Sequence, residues 1–371
     1  MFIFERNDLM TGLNYIAGAV PSTSGQIIDN IHLYSRDGEA FVEATNLEIC
    51  IKTHVKTIVP ITENVDWLIP AKTFVNLIKD CDNDKPIDIS QVENGTKAQI
   101  KSGKSKFTLP LDNFNGYPSF VEKPLSEPIT IPSSQFVDMV NTAHFAALDG
   151  RQDSNKVQFT GMLLNIVKDK IEIATTDSRR LVSNVIGCDT KGIVADMVVA
   201  IKTMREICNL IAKTKSENVS LVITEGNGLL FVIGSIVIIS RLLVGKFPKY
   251  TQLIPKETAI NFNINANILL RSLKQINNVI GIKNIISIKI SENNLHLYNW
   301  GNESNVGNID LDIVYTGEEV EVLVNPDFLL DMLSEIGISD ITFSMKDKDA
   351  VVKINVGDRP NYDYIVMPIK M

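Results

Sequence analysis

The feature that most constrains how this chain can fold is a threefold internal repeat, the first pattern to look for in a sequence because it decides the architecture. Three segments, FERNDLMTGLNYIAGAV from Phe4, IPSSQFVDMVNTAHFAAL from Ile131 and INANILLRSLKQINNVI from Ile264, align without gaps over their first thirteen residues. Apolar pairs four apart then coincide: Leu9 with Leu13, Phe136 with Val140, Leu269 with Leu273. That spacing places both side chains on one face of a helix, toward a core.

Each unit later carries an apolar strand end followed by a second helix: LIPAKTFVNLIKD from Leu68, VVAIKTMREICNLIAK from Val198 and VLVNPDFLLDMLSEI from Val322. Phe74, Met204 and Phe328 take equivalent places, each followed four residues on by Ile78, Cys208 or Met332. A weaker echo joins VEATNLEICIK and IEIATTDSRRLVS, where a strand ends at a polar turn and another begins. Between the helices, β-branched stretches such as IHLYSRDGEAFVEA and IISIKISENNLHLYN are broken by Asp-Gly or Asn-Asn, the pattern of hairpins. The fold class expected is α+β: three repeated domains, each with two helices packed on antiparallel sheets. Pro- and charge-bearing stretches at VEKPLSEPIT and LIPKETA suggest linkers, giving domains 1–127, 128–254 and 255–371.

A chain of 371 residues, 44% hydrophobic and 22% charged, has room for two or three such units with cores of their own. The run GLLFVIGSIVIISRLLVG, from Gly228, is apolar enough to suggest a membrane span, but Gly234-Ser235 splits it into short β-branched halves. A Gly-first pair suits a type II′ turn, so it reads as a buried hairpin. Glu5 and Arg6 leave no apolar secretory segment at the start, and a cytoplasmic protein is expected. Cys50, Cys81, Cys188 and Cys208, with His32, His54, His144 and His296, show neither CxxC nor ligand spacing, so no disulfide framework, metal or cofactor is expected.

Catalysis finds little support. GKS at Gly103 lacks the glycine a P-loop requires five positions earlier, where Ala98 stands. There is no GxSxG, HExxH or carboxylate cluster with two-metal spacing. Asp177 in TTDSRR is read as capping its turn. A net charge of -8 argues against a protein that coats nucleic acid electrostatically, unless its cations are segregated. Three duplicated domains in a row need have no special purpose, but three like units dimerising head to tail would make a closed ring of six, which could segregate the cations among twelve equivalent helices lining a hole.

FTGMLLNI at Phe159, IATTDSRRLV at Ile173, RLLVGKFPKYTQLIP at Arg241 and the terminal YIVMPIKM make the resemblance specific. In this order, on a threefold repeat, the chain resembles the bacterial DNA polymerase III beta-subunit family, the sliding clamps. The resemblance implies the DNA-clamp fold, a non-catalytic role, and a homodimeric ring in which domain three of one subunit meets domain one of the other. It implies encircled duplex DNA as a sequence-independent partner. It also implies clients that bind through short peptides: the polymerase alpha subunit, clamp-loader subunits, other polymerases and repair proteins. No membrane partner is implied.

Carried over by position, the dimer interface comprises Phe107 and Leu109 on one side and Val279 and Ile280 on the other. The peptide groove, between domains two and three, takes Phe159, Thr176, Ser178, Arg179, Arg180 and Leu181 from the central domain. Pro248, Gln252 and Leu253 come from the end of that domain, before the second linker, Val352 from the third domain, and Ile365, Val366, Met367, Pro368, Ile369 and Lys370 from the tail. Ser178 stands where a glycine is frequent in the family, Arg179 where His is frequent and Gln252 where Arg is common, which bears on peptide preference. Arg180 has an alternative reading as an arginine salt-bridged to Asp177. Candidates to face DNA phosphates are Lys72, Lys79, Lys202, Arg205, Lys213, Arg271 and Lys274 on the inferred pore helices, with Arg151 and Lys156 on the loop DGRQDSNK. Helix NPDFLLDMLSEI carries only acids. A peptide-binding scaffold that never closes on DNA, and a phosphate-ester hydrolase, are the competing function classes.

Overall fold

The structure is a computed structural model that describes residues 1–22, 25–120, 122–149, 156–279, 284–301, 306–337 and 339–370. Six α-helices fall two to a repeat among the described residues: α1 (Arg6–Ile16), α2 (Ala71–Lys79), α3 (Ser133–Asn141), α4 (Ile201–Thr214), α5 (Ala266–Asn277) and α6 (Pro326–Glu335). The three i, i+4 pairs of the first helices, Leu9/Leu13, Phe136/Val140 and Leu269/Leu273, are all buried, as the repeat requires.

The second helices agree less simply. Strands end at Pro70 and Ala200 and the helix begins on the next residue, but after Val324 one extra residue, Asn325, intervenes. Its side chain accepts the Asp327 N–H at 2.9 Å and Pro326 takes the first helical position, a favourable start. Counted from the helix start, Leu329 and not Phe328 matches Phe74 and Met204. Leu329 is buried, whereas Phe328 remains half-buried on the helix flank.

The chain forms two compact units, Met1–Ser133 with Glu206–Leu242, and Ser134–Arg205 with Leu243–Met371. In the first, eight antiparallel strands run in the order β5 (Asp66–Pro70), β2 (Asn30–Arg36), β3 (Glu39–Thr45), β4 (Ile49–Val55), β16 (Ile236–Arg241), β15 (Gly228–Ile233), β14 (Asn218–Thr224) and β9 (Ile129–Pro132). A second sheet in that unit is β1 (Phe2–Phe4), β6 (Ile87–Val92), β7 (Lys97–Ser102) and β8 (Ser105–Pro110). The other unit mirrors this plan. Its long sheet is β13 (Ala195–Ala200), β10 (Gly161–Val167), β11 (Lys170–Thr176), β12 (Arg180–Gly187), β24 (Arg359–Val366), β23 (Val352–Val356), β22 (Asp340–Met345) and β17 (Ile260–Asn265). Its short sheet is β20 (Asn308–Asp312), β19 (Asn294–Asn299), β18 (Ile286–Ser291) and β21 (Val320–Val324).

Among the described residues each repeat thus contributes eight strands, and one pairing rule joins them: the fourth strand of a repeat pairs with the eighth of the next, β4 with β16 and β12 with β24. The middle repeat is thereby divided between the two units. Two strands are left over by the rule, β8 and β20, and both lie at free sheet edges.

The apolar run from Gly228 forms the hairpin β15–β16, with Ile233 opposite Ile236. Gly234 sits at φ 57, where a side chain is disfavoured, while Ser235 is not among the positive-φ residues, as a type II′ turn requires. Among the described residues, no helix is long and apolar enough to cross a membrane.

Candidate functional site

The polar turn between β11 and β12 is assembled by its own side chains. Asp177 Oδ1 accepts the N–H groups of Arg179 at 2.8 Å and Arg180 at 3.0 Å. Thr176 Oγ1 donates to the Arg180 carbonyl at 2.6 Å and accepts the Ser178 N–H at 3.0 Å. Held this way, Ser178 takes φ 77, the left-handed region where glycine is at ease.

Arg180 is fastened in place. Its Nε donates to Asp177 Oδ2 at 3.0 Å and its NH1 group to Asp331 Oδ2 on α6 at 2.6 Å, with the side chain only 11% exposed. The guanidinium carbon lies 4.7 Å from the Phe328 ring centroid and 5.7 Å from that of Phe145, within cation–π range. Burial lowers the guanidinium pKa, but Tyr364, Asp331 and Asp177 outweigh it and hold the pKa above its ordinary value. Tyr364 itself is pushed up by burial, and its hydroxyl donates to the Phe328 carbonyl at 2.8 Å. Asp177 therefore both caps the turn and pairs with Arg180, and Phe328 is half-buried because it carries that cation. A pair this enclosed is strongly destabilising to break, because it leaves a buried charge uncompensated.

Beside the turn lies an apolar cleft of about 580 Å³, open to solvent. Its floor is a buried cluster of Leu163, Ala174, Leu181, Val198, Tyr250 and Ile365. Of the residues expected from sequence, Phe159, Thr176, Ser178, Arg179, Arg180, Leu181, Pro248, Leu253, Ile365 and Met367 line it together. Gln252, Val352, Val366, Pro368, Ile369 and Lys370 do not.

Periodicity explains the difference. Strand side chains alternate, so Ile365 and its partner Leu181 face the cleft while Val366 and its partners Val352 and Arg180 turn to the opposite side, Arg180 bordering the cleft although its guanidinium is held by Asp331 and Phe328. Tyr250–Gln252 is a 3₁₀ turn with three residues per turn, so Tyr250 and Leu253 share a face and the exposed Gln252 points elsewhere. After Met367, whose N–H donates to the Arg179 carbonyl at 2.9 Å, the tail leaves the cleft: the Ile369 N–H donates to the Leu323 carbonyl at 2.8 Å. Tyr250 and Val351 also line the cleft and were missed. The i, i+3 spacing of Tyr250 from Leu253 was the available signal; Val351 left none.

Of the cationic candidates, Lys72, Lys79, Lys156, Lys202, Arg205, Lys213, Arg271 and Lys274 are all exposed. Lys213 donates to the Asn14 carbonyl at 3.1 Å. Arg151 lies outside the described residues, as does Ile280 of the expected interface. Phe107 is 40% exposed on the free edge β8 and Leu109 is half-buried there. Val279 follows α5 half-buried, its Cγ2 only 2.6 Å from where a Cβ on Gly307 would stand. Among the described residues, no group of three or more His, Cys, Asp and Glu could hold a metal ion.

Family models for the three domains of the DNA polymerase III beta subunit match successive parts of the chain: the N-terminal domain residues 1–121, the central domain 130–249 and the C-terminal domain 251–370. A beta sliding clamp of Chlamydia muridarum is 27% identical over 352 residues, spanning 91% of this chain and 93% of that protein. The DNA polymerase III subunit beta from Pseudomonas aeruginosa has the same fold in its crystal structure, with a TM-score of 0.92 at 24% identity over 100% of both chains. So has the pol III beta of Caulobacter crescentus, with a TM-score of 0.92 at 19% identity over 100% of both chains.

Proposed function

The chain belongs to the DNA polymerase III beta-subunit family, and on that premise we propose that it is a DNA sliding clamp, a non-catalytic ring that tethers polymerases to duplex DNA. The observation that carries this is the strand-pairing rule. Fourth-to-eighth pairing is used up inside the chain except at β20 and β8, one of each kind, so a second copy supplies the missing partner and closes a head-to-tail dimer.

Position and charge agree. Counted from their hairpins, Phe107 and Leu109 on β8 stand where Ile238 and Ser240 stand on β16. Those two are buried against β4, whereas Phe107 is 40% exposed for want of a neighbour. The edge β8 carries Lys106 and the edge β20 carries Asp310 and Asp312, opposite charges that favour their meeting. Phe107 and Leu109 of one subunit then meet the Val279–Ile280 region of the other.

The exposed cations of α2, α4 and α5, with Arg151 and Lys156, contact phosphates without reading bases, as sliding demands. The cleft in the second unit takes clamp-binding peptides of the polymerase alpha subunit, clamp-loader subunits and repair proteins: an apolar cleft with a few polar groups and an exposed Met suits several related ligands. We divide the chain as 1–127, 128–254 and 255–371, and place the protein in the cytoplasm with the replication machinery. Encirclement keeps a bound polymerase at high effective concentration on its template.

The test is retention on nicked circular plasmid after loading by a bacterial clamp loader. Retention on circles and loss from plasmid cut with a restriction enzyme establish the topological mechanism. Equal retention before and after cutting leaves a peptide-binding scaffold that does not encircle DNA.

A further inference from the structure

The cleft just assigned has a counterpart in the first unit. Thr45, Asn46, Leu47, Glu48 and Ile49 build the same turn as Thr176 to Arg180. Asn46 Oδ1 accepts the N–H groups of Glu48 at 3.0 Å and Ile49 at 2.9 Å. Thr45 Oγ1 donates to the Ile49 carbonyl at 2.7 Å and accepts the Leu47 N–H at 3.0 Å, with Leu47 at φ 75. The strand across the junction docks identically, the Arg241 N–H donating to the Glu48 carbonyl at 3.0 Å as Met367 does to Arg179. Cys50 and Ile239, cross-strand partners, take the places of Leu181 and Ile365 in a buried cluster with Leu230, and Phe120 packs on it. Here too there is a cleft, of about 340 Å³, lined by Phe120, Glu225, Gly228, Ile239 and Arg241 among others.

Its charge differs from that of the second cleft. Arg241 occupies the position of Met367, exposed, with its guanidinium carbon 5.1 Å from the Phe120 ring centroid. It makes no ion pair among the described residues, and two carboxylates of this region are taken: Glu225 by Lys123 at 2.6 Å and Glu122 by Lys52 at 2.5 Å. An arginine laid on an aromatic ring keeps its planar fork free for a carboxylate. Next to the lining residue Glu225, Thr224 is 2% exposed and its Oγ1 has no hydrogen-bond partner.

We propose that this first-unit cleft is a second docking site, which takes an extended partner segment with an apolar side chain beside an aspartate or glutamate. The apolar group sits against Ile239, which Cys50 and Leu230 back from the buried cluster, and the carboxylate meets Arg241. The assignment rests on the peptide reading of the second cleft, from which the scaffold argument is carried over.

Full-length protein is labelled with 4-fluorophenylalanine and titrated with acetyl-Leu-Phe-Asp-amide under fluorine NMR, where Phe120 reports the first cleft and Phe159 the second. The expected result is a saturable shift at Phe120, with affinity weakened about tenfold by Arg241→Gln or by an Asn-for-Asp peptide, and a Phe159 response indifferent to Arg241→Gln. Because Arg241 is exposed, that variant keeps the wild-type melting temperature. A Phe159 response with a silent Phe120, or a Phe120 response unchanged in Arg241→Gln, overturns the second site alone. Silence at both positions overturns it together with the peptide reading of the second cleft.

Discussion

The turns at Thr45–Ile49 and Thr176–Arg180 share the four hydrogen bonds that their Thr and Asx side chains make to the backbone, yet one holds an apolar side chain where the other holds an enclosed cation. Ile49 is simply buried; Arg180, at the same place, reaches Asp177 and Asp331 and stacks on Phe328. The lesson is that Thr-Asx-x-x-x is a scaffold that fixes a strand junction, and what the junction does is set by side chains the scaffold leaves free. Asn46 and Asp177 are interchangeable as acceptors of two N–H groups. Only the aspartate also supplies a charge.

The sharpest way to separate the two roles is to remove both acceptors. Asp177→Ala loses the cap and half of a buried ion pair, and about 3 kcal/mol of unfolding free energy is expected to go with it. Asn46→Ala loses the cap alone and costs about 1 kcal/mol. Urea denaturation of the two variants measures the difference, and equal losses would show the ion pair to be worth nothing net.

At the cleft mouths, Met367→Ala with Pro368→Ala is expected to weaken a polymerase-derived peptide by roughly tenfold or more while sedimentation still shows a dimer. Arg241→Ala leaves that peptide unaffected. Unchanged affinity in the double variant rules out the second cleft as the polymerase site. The smallest effect concerns the strained residue each turn contains: Ser178→Gly and Leu47→Gly each relieve a positive φ and are expected to add about 1 kcal/mol or less. A loss of stability in either would mean that the side chain contributes more than its backbone strain costs.

Local pattern carried much of this into the sequence. Helix faces such as Leu269/Leu273 follow a period that amino acids display directly, and the Gly234 hairpin announces its turn. What was not legible lies at long range. The pairing of Ile51 with Ile238 or Leu181 with Ile365 leaves no periodic trace, so nothing in the chain reveals that the middle repeat is shared between two sheets. A single inserted cap, Asn325, displaced the third helix from the apparent alignment and hid the role of Phe328. Segments named by motif position do line one cleft, but which of their side chains face it was decided by strand alternation and by one 3₁₀ turn, which admitted Tyr250 and turned Gln252 away.

The fourth-to-eighth rule has a consequence for ancestry. Tandem duplication of a unit that joins this way does not satisfy itself short of a closed circle: in a chain of three repeats, one fourth-strand edge and one eighth-strand edge remain at the ends. Gene fusion would therefore change how many chains complete an assembly without requiring a new kind of contact, since in the proposed dimer a border within the chain and a border between molecules are the same strand pairing. On the same rule a chain with fewer repeats would need more copies to complete the circle, and one with more repeats fewer copies.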